Sequence, residues 1–230
     1  MKGEAMSRRS VLGAAAAGAG AVLAGRAAEA QAMRPPDKPR LRTFTNKDFY
    51  DAGGKFQADK GKEAYLELMK CFGYPIPEPL RKGMWAVDFG LGDFVGCGLG
   101  GILWWNSKKY GYYGHEIFLL PGQMIAEHAH MKSADAPAKM EAWHVRHGMI
   151  YTFGEGEATR PLPVKVPESQ AGKFVTVWNC QPLMPGEVRE LNRLEARHFM
   201  LAGPEGAIVT EYATYHDGNA IRFTNPGVKF

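Results

Sequence analysis

Four of the seven histidines lie in the stretch 121–148, PGQMIAEHAHMKSADAPAKMEAWHVRHG. The first two, His128 and His130, are separated by one residue. On a β-strand this spacing turns both imidazoles to the same face, about 6.6 Å apart along the chain. Glu141 stands at the start of the next strand-like run, and from there its carboxylate can face the two imidazoles. Together the three side chains could bind one divalent metal ion.

The other two histidines of this stretch do not fit the same site. His147 is six residues after Glu141, on the same strand face but about 20 Å along the strand. His144 has an odd spacing from Glu141 and points to the opposite face. We therefore expect His147 to pack at the far end of the fold or to face solvent, and we assign His144 no ligand role.

A third histidine ligand is predicted from the later segment RLEARHFMLAGPEGAIVTEYATYHDG. Residues 203–206, Gly-Pro-Glu-Gly, have the length and composition of a hairpin turn. If Ala202 pairs with Ala207, His198 lies directly opposite Glu211 on one sheet face, with Cβ atoms about 5 Å apart. A shift of one residue in the register would move Glu211 to the other face.

The predicted metal ligands are therefore three imidazoles and one carboxylate, from His128, His130, Glu141 and His198. This set leaves open positions on a six-coordinate ion and suits Mn²⁺, Fe²⁺, Co²⁺, Ni²⁺ or Zn²⁺ rather than Ca²⁺. The alternative is that these histidines are ordinary core or surface residues, because an H-x-H pair alone is a weak signal.

The composition is that of one globular domain preceded by a tail. The 230 residues are 45% hydrophobic and 11% aromatic, enough for a sizeable core. The formal charge is +4, of which residues 1–32 carry half, so the remainder is nearly balanced and no nucleic-acid partner is expected. Three cysteines without a C-x-x-C pair allow either one disulfide or three buried thiols.

The first 32 residues have the composition of an export signal. SRRSVL is followed by the run GAAAAGAGAVLAG and by AEAQA, which contains an A-x-A cleavage site. The paired Arg8 and Arg9 resemble a twin-arginine signal, which implies the twin-arginine export machinery as a partner, cleavage after Ala32 and a periplasmic or secreted protein. The alternative, a membrane anchor, is disfavoured because the apolar run is short and weak, so no membrane span is expected after processing.

The elements that must position these side chains are mostly strands. Residues 33–59 predict a linker and amino-terminal extension, and an apolar stripe predicts a helix at about 60–72, ended by YPIPEPL. Short strands are predicted at 85–89, 94–103, 115–120, 124–130, 141–153, 173–179, 198–201 and 207–215. Many short strands without intervening helices predict an all-β fold, an antiparallel barrel or sandwich.

Two segments resemble the motifs of the cupin superfamily. The first is the pattern G-x5-H-x-H … E-x6-G at 122–148, and the second is PGEVRELNRLEARHF, with His198 as its ligand. Beyond the superfamily, MWAVDFGLGDFVGCGL, LPGQMIAEHAHMKSADAPAKMEAW and VTEYATYHDGNAIRFTNPGVKF look like the D-lyxose isomerase family of cupins. AYLELMKCFGYPIP resembles the amino-terminal helix of that family.

The resemblance implies a cupin barrel, a double-stranded β-helix or jelly roll, over residues 60–230. It also implies a divalent metal, usually Mn²⁺, on the same four ligands. The activity implied is aldose–ketose isomerisation of a free sugar, such as D-lyxose to D-xylulose. Homodimers formed by strand exchange are an expectation by analogy with other cupins.

Four further residues are predicted to serve this chemistry. Glu211 fits the base that moves a proton between C1 and C2, and Lys139, two residues before Glu141, fits a group facing the sugar oxygens. Asp217 and Arg222 would bind sugar hydroxyls at the barrel mouth. The alternatives are that Glu211 only supports a ligand histidine, that Lys139 is a solvated loop residue, and that Asp217 and Arg222 pair on the surface.

Two other functions remain open for such a cupin. Three histidines and a glutamate also bind metals in cupin dioxygenases, and a non-catalytic cupin could bind a small exported ligand. Metal identity and oxygen uptake distinguish the isomerase from the dioxygenase. A binding module would not need the acid–base pair of Lys139 and Glu211.

Overall fold

A computed structural model describes residues 39–230 and shows a fold made mostly of β-strands. The strands are β1 (Trp85–Val87), β2 (Leu99–Ser107), β3 (Tyr112–Leu119), β4 (His128–His130), β5 (Glu141–Gly154), β6 (Asn179–Leu183), β7 (Val188–Glu190), β8 (Phe199–Thr214) and β9 (Ile221–Phe223). Two helices, α1 (Ala58–Phe72) and α2 (Glu78–Gly83), precede them, and short 3-10 helices lie at Asn46–Asp48 and Gly218–Ala220.

The strands pair in antiparallel fashion to form two sheets. The larger sheet has seven strands in the order β1-β2-β3-β8-β5-β6, with β7 also paired to β5, and the smaller sheet pairs β4 with β9. A bridge between His128 and His198 links the small sheet to the residue just before β8. This architecture, with few helices, is consistent with the predicted cupin barrel.

Helix α1 forms where the apolar stripe predicts a helix, and it packs on the larger sheet. Its buried face includes Tyr65, Leu68 and Met69, which share one side of a helix by their spacing. Gly73 ends the helix in the left-handed conformation, with φ of 66°. The Tyr65 ring lies so close to Gly100 of β2 that a Cβ atom there would come within 2.2 Å of it, so this contact requires glycine.

The hydrophobic core has two parts, one inside the barrel and one between α1 and the outer face of the larger sheet. The outer part contains Phe49, Phe94 and Phe118, all fully buried. Phe49, with Phe44, comes from the predicted extension 33–59, so the described portion of that extension packs on the domain. This outer part of the core supports the strands on the side that faces away from the barrel interior.

The hairpin predicted at 203–206 does not form, and this prediction was wrong. Strand β8 continues through the segment and pairs with β5 on both sides of it, Ala202 with Ile150 and Ala207 with Gly148. The predicted pairing of Ala202 with Ala207 is therefore absent, and His198 does not lie opposite Glu211.

A bulge takes the place of the hairpin. Residues 203–206 lie opposite Met149 alone, because the register skips between Gly148 and Ile150. Gly148 and Gly206 have φ of 69° and 79°, a conformation that glycine adopts without strain. The two strands can therefore bend together at this point without ending.

Other strands differ from the prediction in place or length. In the predicted strand 173–179, residues 173–178 are not a strand, because the backbone N–H groups of Thr176 and Val177 donate to the Glu127 carboxylate instead of to a neighbouring strand. Strand β6 follows and accommodates Pro182 because it lies at the edge of the sheet. The strands β7 and β9 are absent from the prediction, since three residues are too few to show alternation.

Cys71, Cys97 and Cys180 are buried thiols, one of the two arrangements that the sequence allowed. The predicted signal, residues 1–32, lies outside the described residues. Within residues 39–230, no helix combines the length and apolar character needed to cross a membrane.

Candidate metal centre and active site

The structure brings the four predicted metal ligands together from three segments of the chain. His128 and His130 lie on β4 with Ala129 between them, so both imidazoles face the same side. His198 lies directly opposite His128, and two backbone hydrogen bonds of 3.0 and 2.9 Å join the pair. Glu141 is the first residue of β5. The opposed partner of His198 is thus His128, not Glu211.

The four side chains form one compact group of donor atoms. One ligand atom from each lies within 4.8 Å of the others, close to twice a metal–ligand bond of about 2.0–2.2 Å. Glu141 lies next to two of the imidazoles, with Oε1 2.6 Å from His198 Nε2 and Oε2 3.3 Å from His130 Nε2. His128 and His198 have ring centroids 4.4 Å apart. The group has the size and donor types of a site for a single divalent cation.

Backbone carbonyls orient two of the imidazoles. Nδ1 of His128 donates to the carbonyl of Ala126, and Nδ1 of His198 donates to that of Ala196, each at 2.9 Å. A histidine whose Nδ1 carries the proton presents the lone pair of Nε2. For both residues, Nε2 is therefore the atom available as a ligand. His130 Nδ1 is buried and has no hydrogen-bond partner among residues 39–230.

Burial and charge shift the pKa values of this group. Burial lowers the pKa of His128 well below its usual value, and it also lowers that of His130. Burial would lower the pKa of His198 as well, but Glu141 outweighs it and the pKa is raised. Burial would raise the pKa of Glu141, yet Lys139 and the histidines hold it well below its usual range. The ionised carboxylate and uncharged imidazoles are the forms that bind metal.

Lys139 and Glu211 form a buried ion pair beside the four ligands. Lys139 Nζ contacts Glu211 Oε1, lies 2.7 Å from Glu141 Oε2, and sits 4.5 Å from the ring centroid of Tyr113. Only 4% of Lys139 is exposed, so it is not a solvated loop residue. Burial would lower its pKa, but the two carboxylates keep it above the usual value. Burial would raise the pKa of Glu211, and Lys139 reverses this, so that pKa is lowered.

Glu211 reaches the site by a route that the sequence analysis does not predict. It lies near the carboxyl-terminal end of β8, where its paired residues are His115 on β3 and Trp143 on β5. Paired residues share a sheet face, and all three line the barrel interior. Its Oε2 is 3.3 Å from His115 Nδ1, so its protein partners are Lys139 and His115 rather than a candidate ligand histidine.

These residues line a cavity of ≈ 230 Å³ in the barrel. Most of the remaining wall is apolar or aromatic, and it includes Trp85 and Trp143. The cavity also contains three polar residues that are absent from the prediction: Tyr113, His115 and His216. Tyr113 and His115 are two apart on β3, the same alternation that reveals His128 and His130. The predicted strand began too late, at residue 115, to show it.

Asp217 and Arg222 do not join the site, which corrects their predicted placement at the substrate. Asp217 accepts a hydrogen bond from the backbone N–H of Asn219 and begins a 3-10 helix. Arg222 is exposed and donates to the carbonyls of Asn219 and Ile221. Neither residue lines the cavity, and within residues 39–230 the two side chains do not form an ion pair with each other.

The remaining aromatic and histidine side chains have other roles. His147 stacks on Phe72 of α1 at 5.4 Å, so it packs away from the four ligands as the sequence predicts. His144 lies on the opposite strand face, with Nδ1 3.3 Å from the Tyr212 hydroxyl. Trp104 and Trp105 lie at the surface, where they are 43% and 56% exposed.

Comparison of the sequence with family models gives no match, whereas individual proteins do match. A D-lyxose/D-mannose isomerase of Thermosediminibacter oceani is 34% identical over 170 residues, which cover 73% of this chain and 91% of the relative. A D-lyxose ketol-isomerase of Cohnella laeviribosi is 32% identical over 171 residues, covering 74% and 91%. The aligned regions thus include most of both proteins.

Solved structures of similar fold include L-ribose isomerases. That of Cellulomonas parahominis with L-ribose superposes with a TM-score of 0.60 over 80% of this chain and 96% of its own, at 13% identity. A variant of the Acinetobacter enzyme with L-ribose gives a TM-score of 0.59 over the same shares, also at 13% identity. At this identity the likeness concerns the fold alone.

Proposed function

We propose a reaction from the premise that this chain belongs to the D-lyxose isomerase family and is an aldose–ketose isomerase. The proposed substrate is a free aldose such as D-lyxose, converted to the ketose D-xylulose. The proposed cofactor is one divalent cation, Mn²⁺, held by His128, His130, Glu141 and His198. The substrate and the metal go beyond family membership, and the following observations support them.

The donor set fits a divalent cation. The ligand atoms lie within 4.8 Å of one another inside a largely apolar cavity, and carbonyl contacts leave Nε2 of His128 and His198 available. Three imidazoles and a carboxylate without a thiolate suit the first-row divalent ions. When bound, such an ion supplies Lewis-acid polarisation of the sugar oxygens.

Glu211 is the proposed base that moves a proton between C1 and C2. Its carboxylate lies in the cavity beside the four ligands but does not belong to them, so it is available to a sugar carbon. Its lowered pKa keeps it ionised, the form that accepts a proton. After deprotonation at C2, the same carboxylate returns that proton to C1 of the enediol, while the hydroxyl proton of O2 moves to O1, so that atoms and charge balance.

Lys139 is the proposed group for the sugar oxygens. Its ammonium lies between Glu141 and Glu211, so it connects the metal ligands with the base. From this position it can donate a hydrogen bond to the oxygen that gains negative charge as the carbon loses its proton. The observation that carries the proposed function is this buried Lys139–Glu211 pair beside the four convergent ligands.

The test is incubation of the Mn²⁺-loaded protein with a panel of pentoses and hexoses, with ketose formation as the readout. We expect conversion of D-lyxose to D-xylulose and reverse conversion from the ketose. Oxygen uptake is measured in parallel. Consumption of oxygen without ketose formation would favour the dioxygenase, and binding without turnover would favour a ligand-binding cupin.

Glu211→Gln tests the base directly. The variant retains the size and most hydrogen-bonding capacity of the side chain but cannot accept the carbon proton, so we expect isomerisation to fall by several orders of magnitude with metal content unchanged. Metal content is measured by elemental analysis. The matched control is Glu168→Gln, an exposed carboxylate paired with Lys165, which should keep full activity. Full activity of Glu211→Gln would exclude the assignment.

A further inference from the structure

His115 is a buried polar residue whose contacts point to Glu211. Only 4% of it is exposed, and its Nδ1 lies 3.3 Å from Glu211 Oε2. Its other ring nitrogen, Nε2, has no hydrogen-bond partner among residues 39–230. A buried polar side chain needs a compensating hydrogen bond, and the carboxylate of Glu211 is the group that supplies one to His115.

The surroundings of His115 hold its ring in one orientation. The ring stacks on Trp85, with centroids 5.5 Å apart and planes 14° apart, and it meets the Tyr113 ring edge to face at 5.8 Å. Across the strand pair, Gly101 leaves room for the ring, because a Cβ atom there would lie 2.2 Å from Nε2. The ring therefore has little freedom to turn its Nδ1 away from Glu211.

These contacts determine which nitrogen carries the proton. A proton on Nε2 would be buried against Gly101 without an acceptor, whereas a proton on Nδ1 faces a carboxylate oxygen. An unmade hydrogen bond from a buried donor is costly. His115 therefore donates from Nδ1 to Glu211 Oε2.

We propose that His115 is a positioning residue, which holds the Glu211 carboxylate through this hydrogen bond in the orientation needed for proton transfer. The inference rests on the proposed role of Glu211 as base. With Lys139 on Oε1 and His115 on Oε2, both oxygens are anchored. Each carboxylate oxygen keeps a second lone pair for the sugar proton, so the carboxylate is fixed without being blocked. His115 itself gains and loses no proton over the cycle.

Two substitutions separate the hydrogen bond from the packing. His115→Phe keeps a ring against Trp85 but removes the donor, whereas His115→Asn removes the ring and can place an amide N–H near the position of Nδ1. We expect kcat of the Phe variant to fall about 10–100-fold, with KM and metal content nearly unchanged. The Asn variant should recover most of the loss.

The pH profile gives a readout that a purely structural role would not change. Lys139, Glu141 and Tyr113 face the Glu211 carboxylate together with His115. His115 contributes to lowering the pKa of Glu211. Its removal should move the acid limb of kcat to higher pH in the Phe variant and less in the Asn variant. A wild-type profile and kcat in His115→Phe would overturn the inference, as would equal losses in both variants.

A measurement on the wild-type protein is independent of turnover. Nitrogen-15 NMR of histidine-labelled protein should show a proton on Nδ1 of His115, with the signal assigned by its loss in His115→Asn. A ring protonated at Nε2 alone would overturn the inference. Wild-type protein that isomerises no sugar would instead overturn the proposed function, so the two failures are distinguishable.

Discussion

At the scale of single residues, Lys139 connects the candidate metal ligands with the proposed base. Its ammonium lies between a candidate metal ligand, Glu141, and the proposed base, Glu211. Two carboxylates this close would repel each other in a buried cavity, and the buried cation offsets that repulsion. Lys139 therefore keeps both carboxylates ionised in a place where burial alone would favour their protonated forms.

This role predicts a pH effect of Lys139→Met. Without the ammonium, burial and the charge of Glu141 both raise the pKa of Glu211. The carboxylate then stays protonated up to a higher pH, so the acid limb of kcat/KM should move to higher pH. Lys165→Met, which removes an exposed lysine, should leave the profile unchanged. An unmoved acid limb in the Lys139 variant would show that its charge does not act on Glu211.

At this scale the sequence predicts the ligands better than their surroundings. His128 and His130 show their common face through a spacing of two, and Lys139 and Glu141 repeat it. The location of His216 depends on the path of the chain after β8, and no local sequence pattern predicts that path. Asp217 lies one residue further on, yet its side chain turns to a backbone N–H of its own helix.

At the scale of elements, the bend shared by β5 and β8 shapes the barrel. Gly148 and Gly206 meet at this point, and a Cβ atom on Gly148 would lie 2.0 Å from the carbonyl oxygen of Gly206. The backbones can therefore approach closely only with glycine at 148. The bend allows one pair of long strands to carry Glu141 and Glu211 and to continue into the far half of the barrel.

Gly148→Ala should destabilise the fold through both strain and contact. A left-handed conformation costs a residue other than glycine about 1–2 kcal/mol, and the clash with Gly206 adds to this. Gly186→Ala is the matched control, because Gly186 also has positive φ, 87°, but no atom lies within 4 Å of its added Cβ. Chemical denaturation should show a clearly larger loss of unfolding free energy for the variant at 148. Equal losses would mean that the close approach is not required.

The segment 203–206 shows why the sequence predicts the positions of strands more readily than their pairing. Gly-Pro-Glu-Gly at 203–206 has the residues of a hairpin turn, and local chemistry alone favours that interpretation. The choice between a turn and a bulge depends on β5, some fifty residues earlier, which pairs with both halves of β8. Glu211 thus faces the cavity because of its partners on β3 and β5.

At the scale of the whole molecule, the site depends on segments that lie far apart along the chain. Its walls and ligands come from both strands of the small sheet, from the long strands β5 and β8, and from His198. Glu127 joins two further distant segments, because its buried carboxylate accepts hydrogen bonds from Thr176 and Thr224. Residues 60–230 are the portion for which the sequence predicts this domain.

Export is also predicted at the scale of the whole chain. This prediction depends on residues 1–32, which lie outside the residues that the structure describes. If Arg8 and Arg9 form a twin-arginine signal, replacing both with lysine should retain the precursor in the cytoplasm. Cell fractionation of the full-length chain in a host with the twin-arginine machinery measures this. The exported wild-type protein should begin at Met33 by amino-terminal sequencing. Equal export of the double variant would exclude a twin-arginine signal.

The central claim is that one divalent cation on His128, His130, Glu141 and His198 is needed for sugar isomerisation. The most direct measurement follows D-xylulose formation from D-lyxose by the same protein sample before chelation, after chelation and after Mn²⁺ is restored. We predict that activity is lost with the metal and returns with about one equivalent of it. Isomerisation that persists in protein shown by elemental analysis to be metal-free would contradict the claim.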